Sequence, residues 1–180
     1  MKRCLFSLLM LLLSIAALAK PVNMELQDAR PTAQIEAHYD REKNKTTVRL
    51  APVQISGEKA QYHSVHIAPS FSYPGQTFRT PELIDFEVQT VVKTKLKIDL
   101  YVVFLVDGET IFLSSNRWAV KRPVPGKRWI GERLVFRMPY ETLLKITKAK
   151  NVEIKMDGLK FPFNEPVLEQ VREFALRNVE

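Results

Sequence analysis

Cysteine, histidine and glycine are all scarce in this 180-residue chain, and each shortage removes a class of function. The one cysteine, Cys4, sits in an apolar N-terminal run. The rest of the chain therefore holds no disulfide scaffold, no thiol nucleophile and no zinc ribbon. Six glycines leave little material for a loop that cradles phosphate, and no Gly-x-Ser-x-Gly elbow occurs to expose a catalytic serine.

The three histidines do not add up to a metal centre. A catalytic zinc needs three protein ligands in one cluster, and His63 and His66 fall on opposite faces of the strand they share. His38 does share a strand face with Glu36 and Asp40, but a solvated strand face is the simpler account of that trio. Asp85 and Glu87 likewise alternate on the solvent side of one strand, where a hydrophilic face is simpler than the paired carboxylates of a hydrolase. No catalytic residue, no metal and no cofactor is expected.

Long apolar runs are missing as well, with one exception. Residues 5–18 are almost continuously apolar, follow Lys2 and Arg3, and end in Ala17-Leu18-Ala19. That pattern predicts a secretory signal peptide over residues 1–19, removed before Lys20. Its apolar core is shorter than the ~20 residues a spanning helix needs. The expectation is an exported chain, periplasmic or extracellular, with no transmembrane span after cleavage. Loss of Lys2 and Arg3 leaves 25 basic residues against 20 acidic, a net +5. A surface of that sign favours anionic partners, namely an envelope protein, an anionic lipid or an acidic polysaccharide. Export argues against nucleic acid.

What the chain does have is alternation. Residues 34–39, 46–55, 62–68, 83–92 and 134–138 alternate apolar with polar, as half-buried strands do. The strongest local signal is residues 98–113, IDLYVVFLVDGETIFL, two strands joined by Asp107-Gly108. A two-residue turn of this type needs φ > 0 at both central positions, which Asp tolerates and Gly adopts freely. It sets Val106 opposite Glu109, Leu105 opposite Thr110, Phe104 opposite Ile111 and Val103 opposite Phe112. Both faces of that hairpin are apolar: Val102, Phe104, Val106, Ile111 and Leu113 on one, Tyr101, Val103, Leu105 and Phe112 on the other. Two covers are therefore predicted. A second Asp-Gly hairpin follows at residues 151–163.

Two helices are predicted late in the chain. Pro139 suits the opening of one over residues 140–150. Asn164 caps the other, whose stripe of Val167, Leu168, Val171, Phe174 and Ala175 follows helical spacing. This last helix is the expected second cover of the central hairpin. The fold class is thus mainly β, α+β at the C-terminus: an antiparallel Ig-like β-sandwich with one short helix and one C-terminal helix packed on it. The expected domain organisation is the signal peptide at 1–19, an extended lead-in at 20–32, and a single domain at 33–180.

One stretch has binding character. Residues 116–133, NRWAVKRPVPGKRWIGER, hold both tryptophans among many arginines and lysines, and residues 121–128 read as a basic loop broken by proline and glycine. Arg117, Trp118, Lys121, Arg122, Lys127, Arg128 and Trp129 are the candidate binding residues, since basic loops with tryptophan engage anionic groups. The competing account has Trp118 and Trp129 closing the ends of the core.

From DGETIFL through MPYETLLKITKAKNVEIKMDGLKFPFNEPVLEQVREFAL, the second half resembles a pattern in uncharacterised exported bacterial proteins. There a short helix after a strand leads to a last hairpin and a closing helix. The resemblance implies the architecture of this half and carries over no functional residue. The function expected from the whole is an exported, non-catalytic binding or interaction module that engages an anionic partner through the basic Trp-containing loop. The alternatives are a structural or accessory domain pairing through a sheet edge, or a hydrolase with a carboxylate or His38 site.

Overall fold

The alternating segments become two antiparallel sheets in a computed structural model that describes residues 33–93, 101–114 and 120–176. The predicted signal peptide at 1–19 and lead-in at 20–32 lie outside the described residues. Seven elements precede the basic stretch: β1 (Ile35–Asp40), β2 (Lys45–Leu50), β3 (Val53–Ser56), β4 (Tyr62–Pro74), β5 (Leu83–Val92), β6 (Tyr101–Val106) and β7 (Glu109–Ser114). Then come β8 (Val120–Pro123), β9 (Ile130–Pro139), α1 (Tyr140–Lys148), β10 (Val152–Met156), β11 (Leu159–Pro162) and α2 (Glu165–Leu176). The larger sheet runs β1-β2-β4-β5-β9-β8 with β3 also on β4, and the smaller runs β11-β10-β6-β7. The described residues are mainly antiparallel β with two helices.

Two of the alternating segments depart from their sequence reading at prolines. The alternation through 46–55 breaks after Leu50, at Ala51-Pro52, into β2 and β3, which lie end to end along β4. β4 itself continues past Ala68, where the alternation read from the sequence stops, as far as Pro74. Pro69 is tolerated there because it falls where β4's partner on one side changes from β3, last paired at Ile67, to β2, first paired at Ser70. A residue without an N–H does least harm at such a break in the ladder.

The central hairpin has the predicted register at all four pairs named from the sequence, Val103↔Phe112 to Val106↔Glu109, and the pairing continues to Tyr101↔Ser114. Residues 98–100 of the predicted hairpin lie outside the described residues. Asp107 and Gly108 take φ of 48° and 87°, the left-handed pair this turn demands. The Asp107 carboxylate also accepts the backbone N–H groups of Lys150, at 3.1 Å, and Asn151, at 2.8 Å. The turn is thereby tied to the junction of α1 and β10. One hairpin face, with Val102, Phe104, Val106 and Leu113, is buried against the larger sheet. Phe104 meets Phe86 of β5 edge to face at 5.1 Å, and Tyr62 meets Phe161 of β11 at 5.3 Å. Aromatic pairs in that geometry hold the two sheets together more strongly than their area alone would.

Among the described residues no helix covers the other hairpin face, contrary to the sequence reading. Val103 is buried, but Tyr101 is 51% and Phe112 72% exposed. The stripe of α2 is buried elsewhere, against α1, β2 and β3, with Phe174 packed on Phe71 of β4 at 5.3 Å. The reason is polar as well as apolar. The Arg172 guanidinium donates to the carbonyls of Thr147, at 2.8 Å, and Ala149, at 3.4 Å. Those groups end α1, where backbone carbonyls lack helical partners. The Tyr140 hydroxyl returns the contact by donating to the Ala175 carbonyl at 2.6 Å. Next to Arg172 on the same helix, Glu173 accepts the Ala33 N–H at 3.1 Å, joining the first described residue to the last helix.

Candidate functional site

Strand order brings together side chains far apart in sequence on the outer face of the larger sheet. Gln89 of β5 lies between His66 of β4 and Arg133 of β9, and Glu87 lies one step along between Ala68 and Val135. Arg122 of the edge strand β8 is opposite Gly131. Arg49 reaches the same place from β2. These residues line a cleft of about 400 Å³.

Glu87 organises it. Though it belongs to the outward-facing row with Asp85 and Gln89, only 4% of it is exposed. Burying a carboxylate is costly unless donors replace the lost water, and here three side chains do so. Gln89 donates to Oε1 at 2.7 Å, Arg49 Nη2 reaches both oxygens at 3.4 and 3.5 Å, and Arg133 Nη2 forms an ion pair with Oε2. Each guanidinium has five N–H donors in a fixed fork, so holding Glu87 leaves others for a ligand. Arg122 lines the cleft with its guanidinium unpartnered among the described residues. Glu132, which has partners of its own, is the second acid of the lining. Three guanidiniums against two carboxylates leave the cleft positive. Burial lowers the pKa of His66 from its ordinary 6.5, so its imidazole is neutral near pH 7.

The residues expected from the sequence are only partly brought together. Residues 121–128 are not a loop throughout. Val120 to Pro123 pairs with β9, and the tip is closed by the Val124 N–H on the Trp129 carbonyl at 2.9 Å, with Gly126 at φ 71°. Edge position is what lets a proline-bearing segment form a strand. Lys121 takes a place opposite Glu132, and Arg128 is exposed. Trp129 is held in a stack: the His63 ring lies 3.9 Å from it and the Lys127 ammonium 4.2 Å over it. Arg117 and Trp118 lie outside the described residues. Arg49, His66, Glu87, Gln89 and Arg133 were not among the candidate binding residues: His66 and Glu87 were weighed for zinc and hydrolytic chemistry and set aside, and Arg133 only closed the basic stretch. Local patterning marked Glu87 and Gln89 as outward-facing but held no signal for which strands lie beside them.

The other groupings weighed in the sequence remain apart. His38 is exposed near Glu36, while Asp40 is engaged by Lys43 at 2.8 Å. Among the described residues no three His, Cys, Asp or Glu side chains are placed to hold a metal ion. Nor, among them, is any helix long and apolar enough to cross a membrane. No protein-family model matches the chain, and neither a curated protein nor a solved structure is detectably similar to it.

Proposed function

We propose that the protein is an exported, non-catalytic binding module that holds the anionic groups of an acidic polysaccharide in the Arg49–Arg122–Arg133 cleft. One observation carries this reading. A buried carboxylate positions two arginines beside a third whose guanidinium has no partner among the described residues, all lining one open cleft. Guanidinium forks match the geometry of carboxylate and sulfate groups and grip them in pairs. Lys127 and Arg128 extend positive charge along the β8–β9 hairpin, which suits a polymer with repeated charges. Both oxygens of Glu87 are engaged, which leaves it poorly placed as a general base or nucleophile, and this favours binding over hydrolysis.

The finer architecture belongs to the same proposal. The two sheets are taken as the halves of an Ig-like β-sandwich, with the Phe86–Phe104 contact in its interlayer. Such a frame would hold the arginines on strands, where a site is kept more rigid than on loops.

The test replaces Arg122 alone by Ser, and then Arg122, Lys127 and Arg128 together. Losing one charge-assisted contact should weaken binding to an acidic polysaccharide such as alginate about tenfold, with the melting temperature unchanged. The triple variant should lose more, and a neutral glucan should not bind either form. Equal affinity of wild type and triple variant for alginate would sink the proposal.

A further inference from the structure

The outer face of the smaller sheet carries a second and different surface. The registers Lys160↔Lys155, Lys155↔Val103 and Val103↔Phe112 place four side chains in one line across the strands. Two are cationic and two apolar. Tyr101 and Leu105 flank Val103 on the same face of β6, and together these residues line a shallow cleft of about 310 Å³. We propose that this face docks on the surface of an anionic phospholipid bilayer.

Three features argue for that partner. First, a phenylalanine 72% exposed beside a tyrosine 51% exposed is an apolar surface that no described element covers, of the kind that marks an interaction site. Second, the lysines stand where a sheet would not place them for its own sake. Like charges directly opposite each other destabilise a β-ladder, yet Lys155 and Lys160 are direct cross-strand neighbours. Lys160 has Glu153 at 3.0 Å, while Lys155 has no acid partner among the described residues. A third ammonium, that of Lys59, donates to the Lys160 carbonyl at 2.5 Å. The acid in this cleft, Asp157, is already engaged by the Tyr62 hydroxyl.

Third, the charge and the apolar area are divided as a bilayer is. Aromatic rings enter the boundary between headgroups and acyl chains, while lysine stems lie along it and carry their ammoniums to the phosphates. A second copy of the chain is a poorer match. Its face would bring the same pair of lysines, and the acids it carries, Glu153 and Asp157, are already engaged by Lys160 and the Tyr62 hydroxyl.

The test is flotation of the full chain with vesicles of phosphatidylcholine, with and without phosphatidylglycerol. Wild type should float with the phosphatidylglycerol vesicles and remain behind with phosphatidylcholine alone. Phe112→Ser removes one apolar anchor and should lower the partition coefficient about tenfold. Lys155→Ser with Lys160→Ser should lower it by a similar factor, and this loss alone should be mimicked by added salt. All these positions are on the surface, so circular dichroism melts should match wild type. Arg122→Ser should float like wild type, because it lies on the other sheet. The inference is overturned if the Phe112 and lysine variants float as well as wild type, or if Arg122→Ser abolishes flotation. It is also overturned if light scattering finds a dimer that Phe112→Ser dissociates.

Discussion

Glu87 shows what a single residue means once its neighbours are known. In the sequence it is one of an alternating polar row, indistinguishable from Asp85 or Gln89. In the fold it is the least exposed of that row, because Arg49 arrives from β2 and Arg133 from β9. The two guanidiniums are 38% and 51% exposed, so freeing them does not strand a buried charge. Glu87→Gln should therefore cost only about 1–2 kcal/mol in urea unfolding, less than an enclosed pair would. Its effect on polysaccharide binding should be larger than its effect on stability, since the arginines lose their common anchor. His66 makes a prediction of the opposite kind. Its pKa is lowered by burial, so the folded state holds its proton less tightly than the unfolded chain does. Its contribution is present above pH 6.5 and is lost as the pH falls from 6.5 through its lowered folded value. The melting temperature should thus fall on acidification from 7.5 to 5, and His66→Gln should flatten that part of the profile.

Elements were legible where the signal was local. Asp107-Gly108 and Asp157-Gly158 each put two left-handed residues at the tip of a hairpin, and the pairings follow from that geometry. The stripe on α2 was legible as a stripe: all five of its residues are buried. What the stripe would cover was not, because helical periodicity says that a face is apolar and nothing about which surface receives it. The carbonyls at the end of α1 and the ring of Phe71 decided that, and both are distant in sequence. The β8 strand was missed for a related reason. Proline and glycine mark a break only when a strand needs a neighbour on each side, and β8 is an edge. The α2 contact also yields a measurable consequence. Phe174 is fully buried against Phe71, so Phe174→Ala should cost about 3–5 kcal/mol in chemical denaturation. Tyr140→Phe, which removes only the hydroxyl bound to Ala175, should cost about 1 kcal/mol.

At the scale of the whole molecule, the two outward faces have different chemistry. The larger sheet presents arginines arranged around a carboxylate; the smaller presents lysines beside aromatic rings. Each was legible only in part: the apolar row of Tyr101, Val103, Leu105 and Phe112 and the single Arg122 were read from the sequence, but the side chains that join them are set by pairing order across strands. With no shared residue, their substitutions should combine additively. A vesicle-bound protein should therefore still take up alginate, which flotation with labelled polymer would check. Both interactions should weaken with salt, but the membrane contact should weaken less, because Phe112 contributes where screening does not act. The bond between Ala33 and Glu173 has its own consequence. It brings the two ends of the described backbone within reach of a short peptide bridge, so residues 33–176 are close to a closed ring. A circular permutant with residues 33 and 176 bridged, and new termini opened in the 41–44 turn, should keep the fold and leave both outward faces unobstructed.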